Sequence, residues 1–172
     1  KRNDCTTTDA MDVTEGDDEY TNINNSSICR GSIVKNTIIS ENCNIGYNCI
    51  VENSYISEHS TIEYNANVIE CIIGPDCGIS RGECHHSLIG PFTGFHHSSL
   101  LISTLWPLGR GNISYGSMLG SNHTGRVNDQ EFIPGEGIFY GLNSKIKFPC
   151  NMRLSPYSLV ASDTVLAPGV YS

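Results

Sequence analysis

The sequence has no run of about 18 consecutive apolar residues, no basic-then-apolar leader and no lipidation signal, so nothing in it predicts a membrane span or anchor and a soluble domain is expected. Basic residues are scarce: 10 Lys and Arg stand against 18 Asp and Glu, for a net charge of −8. They form no stripe that would neutralise phosphates, which excludes nucleic acid as a partner. Also missing are the recurrence near 3.6 that marks a helix and the strict alternation that marks an ordinary half-buried strand. At 172 residues the chain is long enough for one domain with a sizeable core. It begins at Lys1 and stops at "APGVYS" in the middle of a pattern, which reads as a piece of something larger.

Residues 1–22 are set apart by charge. Asp4, Asp9, Asp12, Glu15, Asp17, Asp18 and Glu19 face only Lys1 and Arg2 there, a local balance of −5, with almost no apolar content. Such a segment cannot bury enough surface to offset chain entropy, so a disordered acidic arm is expected.

What the remainder has instead is a repeat. Aliphatic residues recur at Ile28, Val34, Ile39, then Ile45, Val51, Ile56, then Ile62, Val68, Ile73, with Ile79 opening the next set. The steps of six, five and six add to a 17-residue period, so Ile28, Ile45, Ile62 and Ile79 are expected to stack on successive coils, as are the corresponding valines and isoleucines. A small residue follows four places after many of the aliphatics, as in "IGYNC" at Ile45, "IEYNA" at Ile62, "IGPDC" at Ile73 and "IGPFT" at Ile89. Each six-residue unit is then a short flat strand and a turn, three units make a triangular coil, and no coil is stable without its neighbours.

With these hexads the chain resembles the hexapeptide-repeat, left-handed parallel β-helices of the trimeric acyltransferase superfamily; the resemblance implies the left hand and a homotrimer. The fold class expected is all-β, a single-stranded parallel β-helix. The chain then divides into the arm (1–22), repeat coils (23–105), irregular coils with a long loop excursion (106–156) and a returning coil cut short (157–172). The register also accounts for cysteines. Cys43, Cys49 and Cys77 fall where a corner admits only a small side chain, and are expected as buried reduced thiols, which suits a cytoplasmic setting. Cys71, Cys84 and Cys150 are less constrained, and Cys84 stands beside His85 and His86.

The repeat breaks after Leu101. Clear hexads return only at Ile113 and Leu119, and the polar stretch from Thr124 to Gly137 reads as an excursion thrown out from a coil corner. The motifs "GSNHTGR", "DQE", "PGEG", "FYGL" and "IKFP" are similar to an uncharacterised hexapeptide-repeat family, a domain of unknown function. The order of a His-bearing hexad, a connector, a second hexad, an Asn-containing loop and a later "LVASDTVLAPGV" is similar to the acetyltransferase half of the N-acetylglucosamine-1-phosphate uridylyltransferases. That second resemblance sets His97 or His96 at the catalytic histidine and Asn122 with His123 at an Asn-Tyr pair, His123 departing from the tyrosine.

In the acyltransferase reading a neutral imidazole takes a proton from an amine or hydroxyl attacking a thioester, with acyl-CoA as donor, and an Asn side chain or loop amide stabilises the oxyanion. Arg126, Lys145 and Lys147 are then candidates to hold phosphate of a sugar nucleotide or coenzyme. Glu131 and Glu136, with Asp129, read either as loop carboxylates for acid–base work or substrate contact, or as simply solvated. The competing chemistry is zinc held by His86, His97 and His123, as in the γ-class carbonic anhydrases, although no His-x-His element is present. Adjacent histidines on a strand are expected to point to opposite sides of the wall. A non-catalytic trimeric scaffold is the third reading. Phe139, Tyr140, Phe148 and Trp106 are read as packing on the prism rather than stacking on a ligand.

Overall fold

The computed structural model describes residues 22–107, 109–113 and 116–119, together with the strand backbones Cys5–Thr7, Ile138–Tyr140, Lys147–Phe148, Arg153–Leu154 and Ser158–Val160. Every described element is a strand of two or three residues. Apart from Cys5–Thr7, the strands stack in parallel into three sheets, the walls of a triangular prism. Face I rises from Ser27–Cys29 to Lys147–Phe148, face II from Ile33–Lys35 to Arg153–Leu154, and face III from Asn22–Ile23 to Ser158–Val160.

The 17-residue step is the strand register itself. On face I, Ile28, Ile45, Ile62 and Ile79 pair in succession. On face II the column is Val34, Val51 and Val68, and on face III it is Ile39, Ile56, Ile73 and Ile89. These side chains fill the interior, and Ile45, Ile56, Ile62 and Ile73 are fully buried. Each contributes about 1.5–3 kcal/mol on transfer from water. Because each strand is too short to hold a partner alone, the columns make the coils cooperative with their neighbours.

Beyond Ile79 the period adapts without losing the columns. Cys84 takes the valine place on face II and Phe95 the isoleucine place on face I, so the step between coils falls to 16 there. Trp106 takes the isoleucine place on face III and is fully buried. The hexads expected at Ile113 and Leu119 form strands on faces I and II. The chain leaves face II after Leu119 and re-enters face III at Ile138, so the break in the repeat falls at the edge between these two faces. Residues 120–137 are outside the described region.

The corners explain the small residues. Ser26 Oγ donates to the Ser40 carbonyl at 2.7 Å and accepts the Cys43 amide at 2.9 Å, and Ser60 does the same for Gly74 and Cys77 at 2.9 and 3.1 Å. Cys43, Cys49 and Cys77 are free, buried thiols, as the register required. Burial pushes the Cys77 thiol up to about 11. Cys71 and Cys84 are buried as well, with sulfurs 3.6 Å apart, so neither is a surface nucleophile. Cys29 is disulfide-bonded, and the strand Cys5–Thr7, which pairs antiparallel on the end of face I, sets Cys5 opposite it.

Each corner turns through positive φ. Asn25, Asn36, Asn42, Asn48 and Asn53 occupy such positions, where Asn is the residue that best tolerates a left-handed backbone after Gly. Asn36 Nδ2 donates to Asn53 Oδ1 at 2.7 Å, and Asn25 Nδ2 to Asn42 Oδ1 at 3.2 Å, one coil to the next.

Candidate functional site

The corner geometry decides where the histidine pairs point. Phe95 faces the interior and His96 faces outward from the strand Gly94–His96, as alternation requires. His97 then breaks the alternation: at φ 57° it is a corner residue, exposed, and its ring centroid lies 6.0 Å from that of His96. The two do not project to opposite sides of the wall, because the strand ends between them. His85 and His86 repeat the arrangement, with Cys84 inward, His85 outward and His86 at a corner with φ 50°.

His96 sits over a floor made by two stacked glycines. A Cβ on Gly94 would lie 3.5 Å from both His96 Nε2 and Asn112 Oδ1, and one on Gly78 would lie 3.9 Å from His96 Cε1. No side chain fills the wall there, so the imidazole lies against backbone with Asn112 one coil along. Burial pushes the His96 pKa below its ordinary value, and the neighbouring His97 pushes it the same way; Glu63 acts weakly against both. A neutral imidazole with an accessible nitrogen is the form a general base needs. Lys147 joins this neighbourhood through the backbone: its strand pairs with Asn112–Ile113, setting Lys147 opposite Asn112 in the column that contains Gly78 and Gly94.

The other expected site residues divide plainly. His86 lies on the edge between faces II and III, where its Nε2 meets Glu70 Oε2 at 2.6 Å, and His97 lies on the edge between faces I and II. Within one chain these two are not brought together. Among the described residues no three of His, Cys, Asp and Glu are grouped so as to hold a metal ion. Asn122, His123, Arg126, Glu131, Glu136 and Lys145 lie outside the described residues.

A second concavity follows the edge between faces II and III, where a groove of about 340 Å³ is lined by Asn36, Asn53 and Glu70 with Ile38, Tyr55 and Ile72 on its flank. Glu70, the partner of His86, is part of its lining. Sequence reasoning did not single out Glu70, although Asn36, Asn53 and Glu70 follow one another at the 17-residue step.

The profile of the family described as GlmU-like, C-terminal hexapeptide matches residues 7–101, more than half of the chain. The chain belongs to this family. The GlmU-like hexapeptide domain is a left-handed β-helix, in accord with the three parallel sheets and their positive-φ corners, and it is transferase-like in class. The chain is also 38% identical over 82 residues to an uncharacterized protein of Treponema pallidum (strain Nichols). That match takes in 48% of this GlmU-like chain and 11% of the relative, so the chain spans about a tenth of that protein. Among the described residues no helix is long and apolar enough to cross a membrane.

Proposed function

We propose that this chain is an acyltransferase-like hexapeptide domain acting on a sugar or sugar nucleotide, with His96 as general base and His97 beside it. The observation that carries the reading is the half-buried His96 imidazole, held neutral by burial over the Gly78–Gly94 floor, in a GlmU-like domain. In the reaction, His96 takes the proton from an acceptor amine or hydroxyl as its lone pair attacks the carbonyl of an acyl-CoA thioester. The C–S bond then breaks, and the thiolate leaves with the proton that His96 returns. Asn112, and Asn122 and His123 from the excursion, are the proposed partners of the developing oxyanion, with Lys147, Lys145 and Arg126 holding phosphate. Glu131 and Glu136 are proposed as further substrate contacts. A homotrimer is part of the proposal, supported by the family and by the apolar outer column of face III. A cytoplasmic setting draws support from five free buried cysteines, and the disulfide at Cys29 runs against it.

Thiol release from acetyl-CoA, followed with amino sugars and UDP-sugars as acceptors, tests the reading. His96→Ala is expected to lower kcat by about 10²–10⁴-fold, the range for a lost general base. A His96→Ala rate equal to wild type, or no acceptor-dependent thiol release by the wild type, sinks the reading.

A further inference from the structure

The edge between faces I and II carries a column that neither the repeat nor the general base requires. In the corner place after each outward strand residue stand Arg30, Tyr47, Tyr64, Arg81 and His97, one per coil. Their alignment is fixed by backbone bonds across coils: the Asn48 amide donates to the Arg30 carbonyl, Asn65 to Tyr47, and Ser98 to Arg81. All five side chains are exposed. The Arg81 guanidinium lies 5.7 Å from the centroid of the Tyr64 ring. Neither Arg30 nor Arg81 has a carboxylate within ion-pair distance among the described residues, although Glu63 on face I and Glu83 on face II border the strip.

The other edges differ. The edge between faces III and I carries Glu41, Glu58 and Asp76, with Arg110 over the Phe92 ring at 5.5 Å further along, and that between faces II and III carries Glu70 bonded to His86. In a chain with net charge −8, two arginines flanking two tyrosines at one corner place, with no acid in that place among the described residues, set this edge apart. Successive coils are about 4.8 Å apart, so Tyr47 to Arg81 spans about 10 Å and His97 is one step further. The strip ends beside His96, whose ring centroid is 6.0 Å from that of His97.

We propose that this edge binds a nucleoside diphosphate, its base stacked on Tyr47 and Tyr64 and its phosphates on Arg81, so that the group beyond the second phosphate lies at His97 and His96. Tyrosine faces stack on any base, and guanidinium groups bind phosphate oxygens through paired hydrogen bonds. A sugar nucleotide and coenzyme A both carry this chemistry. The inference rests on the transferase reading only for what the bound molecule is used for.

Calorimetric titration of the full chain with UDP and with ADP tests it, using uridine, adenosine and inorganic pyrophosphate as fragments. At least one diphosphate is expected to bind about tenfold or more tightly than either of its fragments. Arg81→Gln and Tyr47→Ala are each expected to weaken that binding about tenfold, while an unchanged Tm shows that the fold is intact. Titration with UDP-N-acetylglucosamine and with coenzyme A identifies the source, whichever retains the variant sensitivity. Pyrophosphate binding as tightly as the nucleotide, or both variants binding like wild type, overturns the inference. Nucleotide binding that survives in a His96→Ala chain without transfer activity supports this edge and leaves the transferase reading to fail on its own assay.

Discussion

At the scale of single residues, burial more than charge sets the titration of two outward histidines, His85 on face II and His96 on face I. His85 and His96 both face outward, yet both have pKa values pushed below the ordinary 6.5, in each case first by desolvation. His85 is also pulled upward by Glu83 and Glu70 and downward by His86, and its buried Nε2 has no hydrogen-bond partner among the described residues. A histidine with a depressed folded pKa binds fewer protons folded than unfolded in the window between the two values, so stability rises with pH there. The contribution is therefore complete above about pH 6.5 and is lost as pH falls through the folded values. Thermal melts between pH 7.5 and 4.5 are expected to show this loss, and a His85→Gln, His96→Gln double variant to show a shallower acid slope. An identical slope in the double variant would place the acid sensitivity elsewhere.

At the scale of the strand and corner, the 17-residue step tolerates a change of residue only where the neighbouring coil gives way. Phe95 replaces isoleucine in the face I column, and the corner of the coil before it carries Gly82, where the preceding coils have Cys49 and Ala66. A Cβ on Gly82 would stand 3.0 Å from Phe95 Cδ2 and 3.2 Å from the Ser99 carbonyl oxygen. Gly82→Ala is expected to cost about 1–3 kcal/mol in chemical denaturation, as overpacked cores do, and less in a Phe95→Leu background, because the two positions share one space. Equal costs in both backgrounds would show that the ring is not what the glycine accommodates. The aliphatic columns were legible in the sequence because stacking demands the same residue class at a fixed step, and Ile28, Ile45, Ile62 and Ile79 satisfy it. Phe95 and Leu101 continue the hexads from Ile89 and were legible for the same reason; Cys84 was not, since its place in the face II column falls 16 residues after Val68 instead of 17. The histidine pairs were misread for a related reason: alternation holds within a strand, and these strands end after three residues. Arg30, Tyr47, Tyr64 and Arg81 lie at the same 17-residue step as the aliphatics, but mixed residue types hide a column that only the register makes visible.

At the scale of the whole molecule, the three faces are not equivalent to solvent. Among the described residues eight large hydrophobics are exposed, and four of them (Ile38, Tyr55, Ile72 and Leu105) lie in the outer column of face III, which Leu88 completes. Face I presents Ser27, Asn44, Thr61, Gly78, Gly94 and Asn112 in its corresponding column. A continuous apolar column on one wall is the surface that self-association would bury. The edge carrying Arg30, Tyr47, Tyr64 and Arg81 is the vertex opposite face III, so closing three copies around that face leaves the vertex in solvent. The expected state is a trimer, read by light scattering as three times the 18.8 kDa chain. An Ile38→Lys, Ile72→Lys double variant is expected to elute as a folded monomer, since both side chains are already exposed in the single chain and the substitution adds repulsion only across the interface. Nucleotide binding is expected to persist in that monomer, because the strip draws every one of its residues from one chain. A wild type that scatters as a monomer, or a double variant that remains trimeric, would remove face III as the assembling wall.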